Sequence, residues 1–530
     1  MTTARDEPVA PLTCPANRWL WFASLALGLG VIALRFDEYV VGSITDDAVY
    51  TELARSLSEG RGPAIHLGDC TSYHLRQLFP LGYPLVLSAV AWVAPTSTSA
   101  LKLLSVAATL VTAILLFKLL QPLVSPTGRL VLVSLALLNP WTIAYSNRVL
   151  SEAVYASCSL AATLAYVTWR SRPAISLHTF AVAALLGLSA SVRTVGLSLI
   201  SAVLADLLLR RDWRRFCVLA PAVALALAPQ IWATGGDLIS QGYHVQVFEH
   251  GDDAVARVFS AAHHFTAYLK QLPAALVPAF GDRLQAMAAS RGLEGVYVVA
   301  TSLLGFCLLS VITLGLWSVP DQGRRSYRVI GVYLFLYAGA MLNFLSGPWG
   351  IQLRFLVPVL PFLYLGLFIG ARRLAALMSG SSERLAIAAM VAILPVSVAH
   401  NVYRIADPMG SSRSVSGRGF VDYSRGMDWF RANSAPDAMI MASYPLERHI
   451  HFGRPTVAWP SSSAIGNLHS VAQKCNVRYF LVAPGDPESP DELNDTERAR
   501  LAILRSCPQR FRPLLDSPHQ SLYIFESIDE

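Results

Sequence analysis

Charged residues are scarce in this chain. Asp, Glu, Lys and Arg make up 15% of its 530 residues, while 54% are hydrophobic. Soluble domains run near about a quarter charged, so a string of water-soluble domains is excluded. Cysteine is sparse too, and the seven present include no C-x-x-C pair, which excludes the common zinc arrangements. The formal charge is +7, but no basic stripe with interleaved aromatic residues accompanies it. A nucleic-acid surface needs such a stripe, so no nucleic-acid partner is expected. No A-x-A cleavage site follows the first apolar run, which is therefore expected to stay as a span and not to be removed as a signal.

What is present is a series of apolar runs long enough to cross a bilayer, the mark of a mainly α, polytopic helical membrane protein. The first run, "WLWFASLALGLGVIAL", covers Trp19 to Leu34. Arginine clusters at Arg210–Arg215, at Arg324–Arg328 and at Arg372, Arg373 and Arg384 separate later runs, and the positive-inside rule places all three in the cytoplasm. Working outward from them, Phe216 to Trp232 exits, Val296 to Trp317 returns, Val329 to Leu345 exits, Phe355 to Gly370 returns and Leu385 to Ala399 exits. Everything after His400 is then outside. The stretch from Leu177 to Leu209 reads as two short tilted segments turning at "SVRTVG" on the outer face. Leu81 to Ala94 is too short for an upright span. It is read as re-entrant, or as half of a crossing shared with Leu101 to Leu120, for about eleven crossings in all.

This topology puts the suspicious polar groups on one side. Residues 1–18 form a cytoplasmic tail and 19–400 the transmembrane domain, with outer loops at 36–80 and 234–292; 401–530 form an extracytoplasmic domain. Within "SITDDAVYTELARSLSEGRGP", the run from Asp46 to Glu59 is expected to be a helix lying on the membrane surface. Asp46, Tyr50 and Ala54 share one face, and Arg55 is in reach of Glu52 and Glu59. A cap at Thr45 and acids facing the positive end of the helix dipole account for one aspartate. Two of them beside a lipid headgroup zone call for chemistry. A carboxylate there can deprotonate an acceptor hydroxyl while a lipid delivers the activated group. Polyprenyl-phosphate sugars fit, because their leaving group is already a phosphate. The site then needs arginines to hold that phosphate, and Arg193 and Arg354 are the candidates.

The order of these elements resembles the C-type (GT-C) polytopic glycosyltransferase superfamily, in its protein O-mannosyltransferase and lipid A aminoarabinose transferase branch. The matching pieces are "TDDAVYTELARSLSEGRG", "FPLGYPLVL", "LLNPWTIAYSNRVLSEAVYA", "GLSASVRTVGLSLI" and "QLRFLVPVLPFLYLGL". The resemblance implies an inverting transfer from a polyprenyl-phosphate-linked sugar donor to a lipid, glycan or protein hydroxyl, in the bacterial inner membrane. It implies catalytic roles for Asp46, Asp47 and Glu152, with Asp47 standing where glutamate is common. Substrate-binding roles fall to Tyr50, Tyr83, Arg193 and Arg354. No cofactor is required. Magnesium or manganese are the ions that the hard oxygens of Asp46 and Glu152 would suit. The plainer accounts are an i, i+4 pair of Glu152 with Arg148 and a snorkelling Arg354.

Tyr73, His74 and Arg76 read as a solvated loop. "EHGDDAVARVFSAAHHF" gathers acids and histidines, but His263 and His264 are adjacent and diverge by about 100° on a helix, which favours an interfacial lid over a metal site. After the linker "SSRSVSGRG", helices and strands alternate as in a small α/β domain, with strands at "DAMIMAS", "VRYFLVAP" and "QSLYIFES". It has no phosphate-cradling glycine loop and no nucleophile elbow, so it is expected to recognise an acceptor or cover the site. Cys475 and Cys507 end neighbouring helices, and an oxidising compartment would allow a disulfide between them or leave them unbridged. Two other readings share the pattern: a flippase or transporter of lipid-linked sugars, and a polysaccharide ligase or polymerase. The first needs charges at the bilayer midplane and usually repeated halves; the second has no need of Asp46.

Overall fold

The computed structural model describes residues 15–42, 45–67, 72–73, 79–233, 254–318, 327–343, 353–378, 382–406, 428–460, 465–483, 493, 495–517 and 522–528. The expected linker at 411–419, His74 and Arg76, and residues 234–253 of the expected outer loop lie outside these. The chain opens with α1 (Pro15–Leu34), α2 (Thr45–Ser58), a short β1–β2 pair (Ile65–His66, Ser72–Tyr73), α3 (Gly82–Val93) and α4 (Thr98–Leu120). Next come α5 (Pro126–Leu138), α6 (Pro140–Ser146), α7 (Ser151–Trp169), α8 (Leu177–Val192), α9 (Leu197–Leu209) and α10 (Trp213–Ala233). The bundle is completed by α11 (Ala254–Leu276), α12 (Asp282–Ser290), α13 (Glu294–Trp317), α14 (Arg328–Asn343), α15 (Leu360–Met378), α16 (Ser382–Val391) and α17 (Leu394–Ala406).

Among the described residues six helices are long and apolar enough to cross a membrane, or seven if α5 and α6, bent by 55°, form one span; four shorter apolar helices accompany them. Length and composition therefore leave the expected eleven crossings without direct support. The 23 residues of α4 rise about 35 Å, long enough to cross without α3 as its other half. Instead α3 packs on α2 and α8. The α5–α6 bend has a local cause. Pro140 cannot continue the backbone ladder, and Asn139 caps the new helix by accepting from Trp141 N and Thr142 N while donating to Ala275 O and Tyr364 Oη. Small residues bring α13 and α15 together: a Cβ on Gly315 would lie 1.9 Å from the Gly366 carbonyl oxygen, and one on Gly370 2.0 Å from that of Val311. Such close backbone approach is a main source of cohesion between helices in lipid. The helix α11, whose first part falls in the segment read as an interfacial lid, packs against α13 and α14. His264 is buried with Nδ1 2.9 Å from Leu342 O, while His263 is exposed, so the two rings diverge as their adjacency requires.

The C-terminal domain is built on β3 (Met439–Ala442), α18 (Pro445–Phe452), β4 (Thr456–Ala458), α19 (Ile465–Lys474), β5 (Val477–Val482), α20 (Asp495–Ser506), β6 (Phe511–Ser517) and β7 (Leu522–Ser527). Its five strands run in the order β4-β3-β5-β7-β6, with the first three parallel and the last two antiparallel to their neighbours. The three expected strands are present. Two were not anticipated: β4 has only three residues, and β6 carries Pro513 and Arg512 in place of an apolar run. The Cys475–Cys507 bridge that the sequence left open does not form: Cys475 is disulfide-bonded, while Cys507 is a free thiol.

A second correction concerns α2, which does not lie open on a membrane surface. Ala48, Thr51, Leu53 and Ala54 are wholly covered, and Val49, Tyr50 and Glu52 retain only 4% exposure. One side is taken by α3. The other is taken by α18 of the C-terminal domain, whose Leu446 and Ile450 join Ala48, Val49, Leu53, Ile65 and Leu67 in one apolar cluster. Polar contacts lock this junction: Thr456 N donates to Leu67 O at 2.7 Å, and His451 Nε2 stands 3.0 Å from Val41 O. Of the two pairs expected for Arg55, that with Glu52 forms at 2.6 Å, whereas Glu59 pairs with Arg61.

Candidate active site

The first turn of α2 places Asp46 against Arg354, which stands in a short 3-10 turn (Leu353–Phe355) leading towards α15. An Arg354 Nη2 donates to Asp46 Oδ2 at 2.5 Å, although 308 residues separate them. The same guanidinium reaches Glu152 Oε1, with Nε at 3.3 Å. Glu152 lies in the first turn of α7, and its carboxylate also meets Arg193 Nη1 at 2.7 Å. Arg193 stands in extended conformation between α8 and a 3-10 turn (Thr194–Gly196) before α9. The expected break at "SVRTVG" therefore exists, and it points an arginine at the α7 carboxylate.

The result is a chain of alternating charges, Asp46⁻, Arg354⁺, Glu152⁻, Arg193⁺, whose sum is zero. Pairing is what makes burial tolerable, since an isolated buried charge costs several kcal/mol. Both guanidiniums also lie over the Phe355 ring, at 5.2 Å for Arg354 and 5.7 Å for Arg193. Ser151 was not singled out by the sequence, but its hydroxyl accepts from Arg193 Nη1 at 3.2 Å and stands 3.4 Å from Tyr50 Oη. A serine ahead of a first-turn acid was the available signal. Phe355, next to Arg354, was another. A cavity of about 30 Å³ adjoins Glu152, bounded by Tyr145, Thr142 and Thr112 and by the apolar Ala113, Ala156 and Pro361.

Asp46, Tyr50, Glu152, Arg193 and Arg354 thus converge. Asp47 and Tyr83 stand behind them. Asp47 is 2% exposed, and its Oδ1 accepts from Gly42 N at 3.0 Å, folding the turn on which His451 rests. Gly42 has φ +89, and a Cβ there would sit 2.7 Å from His451 Nε2, so both conformation and space demand glycine. Tyr83 is fully buried and presents its ring edge-on to Tyr50 at 4.8 Å, with Phe79 on the tyrosine's other flank at 5.2 Å. The anticipated Glu152–Arg148 pair is absent from the described contacts. Arg148 instead stacks on Tyr39 at 3.7 Å and Tyr145 at 4.9 Å.

A divalent metal does not fit between Asp46 and Glu152. The guanidinium of Arg354 already fills the space between the two carboxylates, and a cation there would have to displace it. Among the described residues no group of three or more His, Cys, Asp or Glu gathers as metal ligands do. Burial holds His451 in the C-terminal domain down to about 4, helped by the nearby positive charges of Arg448 and Arg431. It therefore meets Val41 as a neutral imidazole donating from Nε2.

Fold and charge chain together define a multi-pass membrane protein with paired arginines beneath an α/β cap. No family model matches the sequence, and no curated protein does. Solved structures are more informative. The chain is similar to ArnT from Cupriavidus metallidurans bound to undecaprenyl phosphate, at 12% identity over 97% of this chain and 98% of that one, with a TM-score of 0.59. The apo state of that protein matches at 12% identity over the same shares, with 0.57. An Archaeoglobus fulgidus oligosaccharyltransferase in complex with Zn and sulfate is 11% identical over 82% of this chain and 63% of that one, with 0.51. These likenesses show the fold, which this chain shares with ArnT and with that oligosaccharyltransferase.

Proposed function

We propose that the chain is an inverting glycosyltransferase that moves a sugar from a polyprenyl-phosphate donor to a hydroxyl of a lipid, glycan or protein acceptor on the outer face of the membrane. The observation that carries this reading is the Asp46–Arg354 contact at 2.5 Å, extended through Glu152 to Arg193. A carboxylate and two guanidiniums are what transfer from a lipid phosphate requires. Asp46 takes the proton of the acceptor hydroxyl as its oxygen bonds to the anomeric carbon. The bond from that carbon to the phosphate oxygen breaks, and the lipid phosphate leaves with the electron pair. Arg354 and Arg193 hold the charge that develops on it, in bidentate geometry that lysine does not match. Glu152 aims both arginines, and Asp47 and Tyr83 fix α2 and Tyr50 in place. The fold likeness to a protein solved with undecaprenyl phosphate supports a donor of this class. The disulfide at Cys475 supports an oxidising, extracytoplasmic side for the cap, and α2 docks directly on that cap.

Asp46→Asn tests it. The variant keeps the size and the contact to Arg354 but cannot accept a proton, so turnover of a polyprenyl-phosphate sugar is expected to fall by about 10²–10⁴ with donor still bound. Unchanged turnover would end the proposal in favour of transport or ligation.

A further inference from the structure

A second cavity, of about 330 Å³, opens in the C-terminal domain between Ser443, Tyr444, Trp459, Glu497 and Arg500. Its place is favourable: β3 ends at Ala442 and β4 at Ala458, so it lies beyond the carboxyl ends of parallel strands, where open α/β sheets bind ligands. Its volume falls in the range of small-molecule pockets, about 300–1,000 Å³. Glu497 is 1% exposed, and its Oε1 accepts from the Ser443 hydroxyl and, at 2.7 Å, from Arg500 Nη1. Arg500 in turn lies over the Trp459 ring at 5.3 Å. Two features mark the lining further. Among the described residues the buried indole Nε1–H of Trp459 has no hydrogen-bond partner, and such an orphaned donor costs about 1–3 kcal/mol. Tyr444, the residue that caps α18, takes the left-handed conformation, φ 52 and ψ 58, and is 39% exposed where it lines the cavity. A bulky residue held there is strained by about 1–3 kcal/mol, and such strain gathers at ligand sites.

The chemistry of the lining narrows the ligand. Arg500 is matched by Glu497, so the pair offers an anion no unbalanced charge. It offers one buried acceptor, guanidinium and indole donors, and an aromatic ring at the rim. A ring whose hydroxyls both donate and accept satisfies all of these at once, with its C–H face on Tyr444. We propose that this cavity binds a neutral sugar residue carried by the acceptor, an assignment of the acceptor's role that rests on the transferase reading. The geometry joins the two sites: Tyr444 precedes α18, and the same helix, through Leu446 and Ile450, packs on the α2 residues behind Asp46.

The test uses the full chain in detergent micelles and saturation-transfer NMR with neutral methyl hexopyranosides, inorganic phosphate serving as the anionic comparison. Glycosides are expected to bind, with affinity reduced at least about tenfold in both Trp459→Phe and Tyr444→Ala while the thermal transition stays in place. Asp46→Asn is expected to leave glycoside binding unchanged. In transfer assays Tyr444→Ala is expected to raise the KM for a glycan acceptor while leaving the KM for donor alone. Equal glycoside binding in wild type and both pocket variants, or binding of phosphate alone, overturns the assignment. Should Asp46→Asn retain full turnover while the pocket variants lose glycoside binding, the acceptor role falls with the transferase reading, and the cavity remains a sugar site.

Discussion

Replacing Glu152 by Gln removes one charge from four that sum to zero. The side chain is fully buried, 2.7 Å from Arg193 and 3.3 Å from Arg354. Glutamine fills the same volume, so no cavity opens and the change is electrostatic. Asp46 then faces two guanidiniums, and the site carries one excess positive charge. Removing one member of a buried pair costs about 3–5 kcal/mol. Arg193 and Arg354 keep 11% and 15% side-chain exposure, and water relieves part of the imbalance, so the lower end is expected, about 3 kcal/mol. Arg193→Gln alone leaves the opposite imbalance and a similar cost. The double variant is neutral again, with Asp46 and Arg354 still paired, so it should cost less than the sum of the two by about 1–3 kcal/mol. Reversible unfolding in mixed micelles, followed by tryptophan fluorescence across all four proteins, measures the cycle. Activity supplies a second readout: Glu152→Gln should lower kcat through misaimed arginines, and Glu152→Asp should recover part of it. Additivity within about 0.5 kcal/mol would show that the two side chains do not share a pair and would refute the charge-chain argument.

Three further predictions follow from other parts of the molecule. The His451 imidazole titrates at about 4 when folded and near 6.5 when free, so the unfolded chain binds the proton more readily. Stability is complete above pH 6.5 and is lost as pH falls through 4, by roughly 3 kcal/mol at most; His451→Gln should flatten that stretch of a stability-versus-pH curve. Gly315→Ala pushes a methyl into the Gly366 carbonyl and should sharply reduce folded protein on size exclusion, whereas Gly30→Ala meets nothing within 4 Å and should be neutral or stabilising by about 0.5–1 kcal/mol. Cys507 should take up a thiol reagent without reduction, and Cys475 only after it, by mass mapping of the labelled peptides.

The helical bundle was legible because lipid imposes long apolar runs and makes every exception conspicuous. Arg193 stood out between apolar neighbours, and it does face an acid. Asp46 and Arg354 were each readable as exceptions, and their contact was not: 308 residues part them, and no local periodicity encodes the pairing. The same limit explains α2. Its apolar positions were read against a membrane surface, whereas Leu446 and Ile450 cover them from a domain some 400 residues further on. Asp47 and Tyr83 looked equivalent to their neighbours in sequence. One residue's rotation about a helix turned Asp47 towards the Gly42 amide, and the packing of Tyr50 put Tyr83 behind it. Cysteine pairing stayed open for another reason, since closeness in a predicted order of elements says nothing about which thiols meet.

The charge chain also bears on how the proposed donor would engage. Without donor the four charges neutralise one another, so a lipid phosphate would have to compete with a carboxylate for a guanidinium. Which carboxylate yields is a matter of solvation. Glu152 has no exposure, and releasing it would strand a charge in the interior at a cost of several kcal/mol. Asp46 retains 22% side-chain exposure and can exchange its arginine for water or an acceptor hydroxyl at far lower cost. On the proposed function, phosphate arrival would therefore draw Arg354 away from Asp46 and leave Glu152 in place. In the proposed reaction the step that binds the leaving group would also free the base, so proton abstraction would wait for the donor.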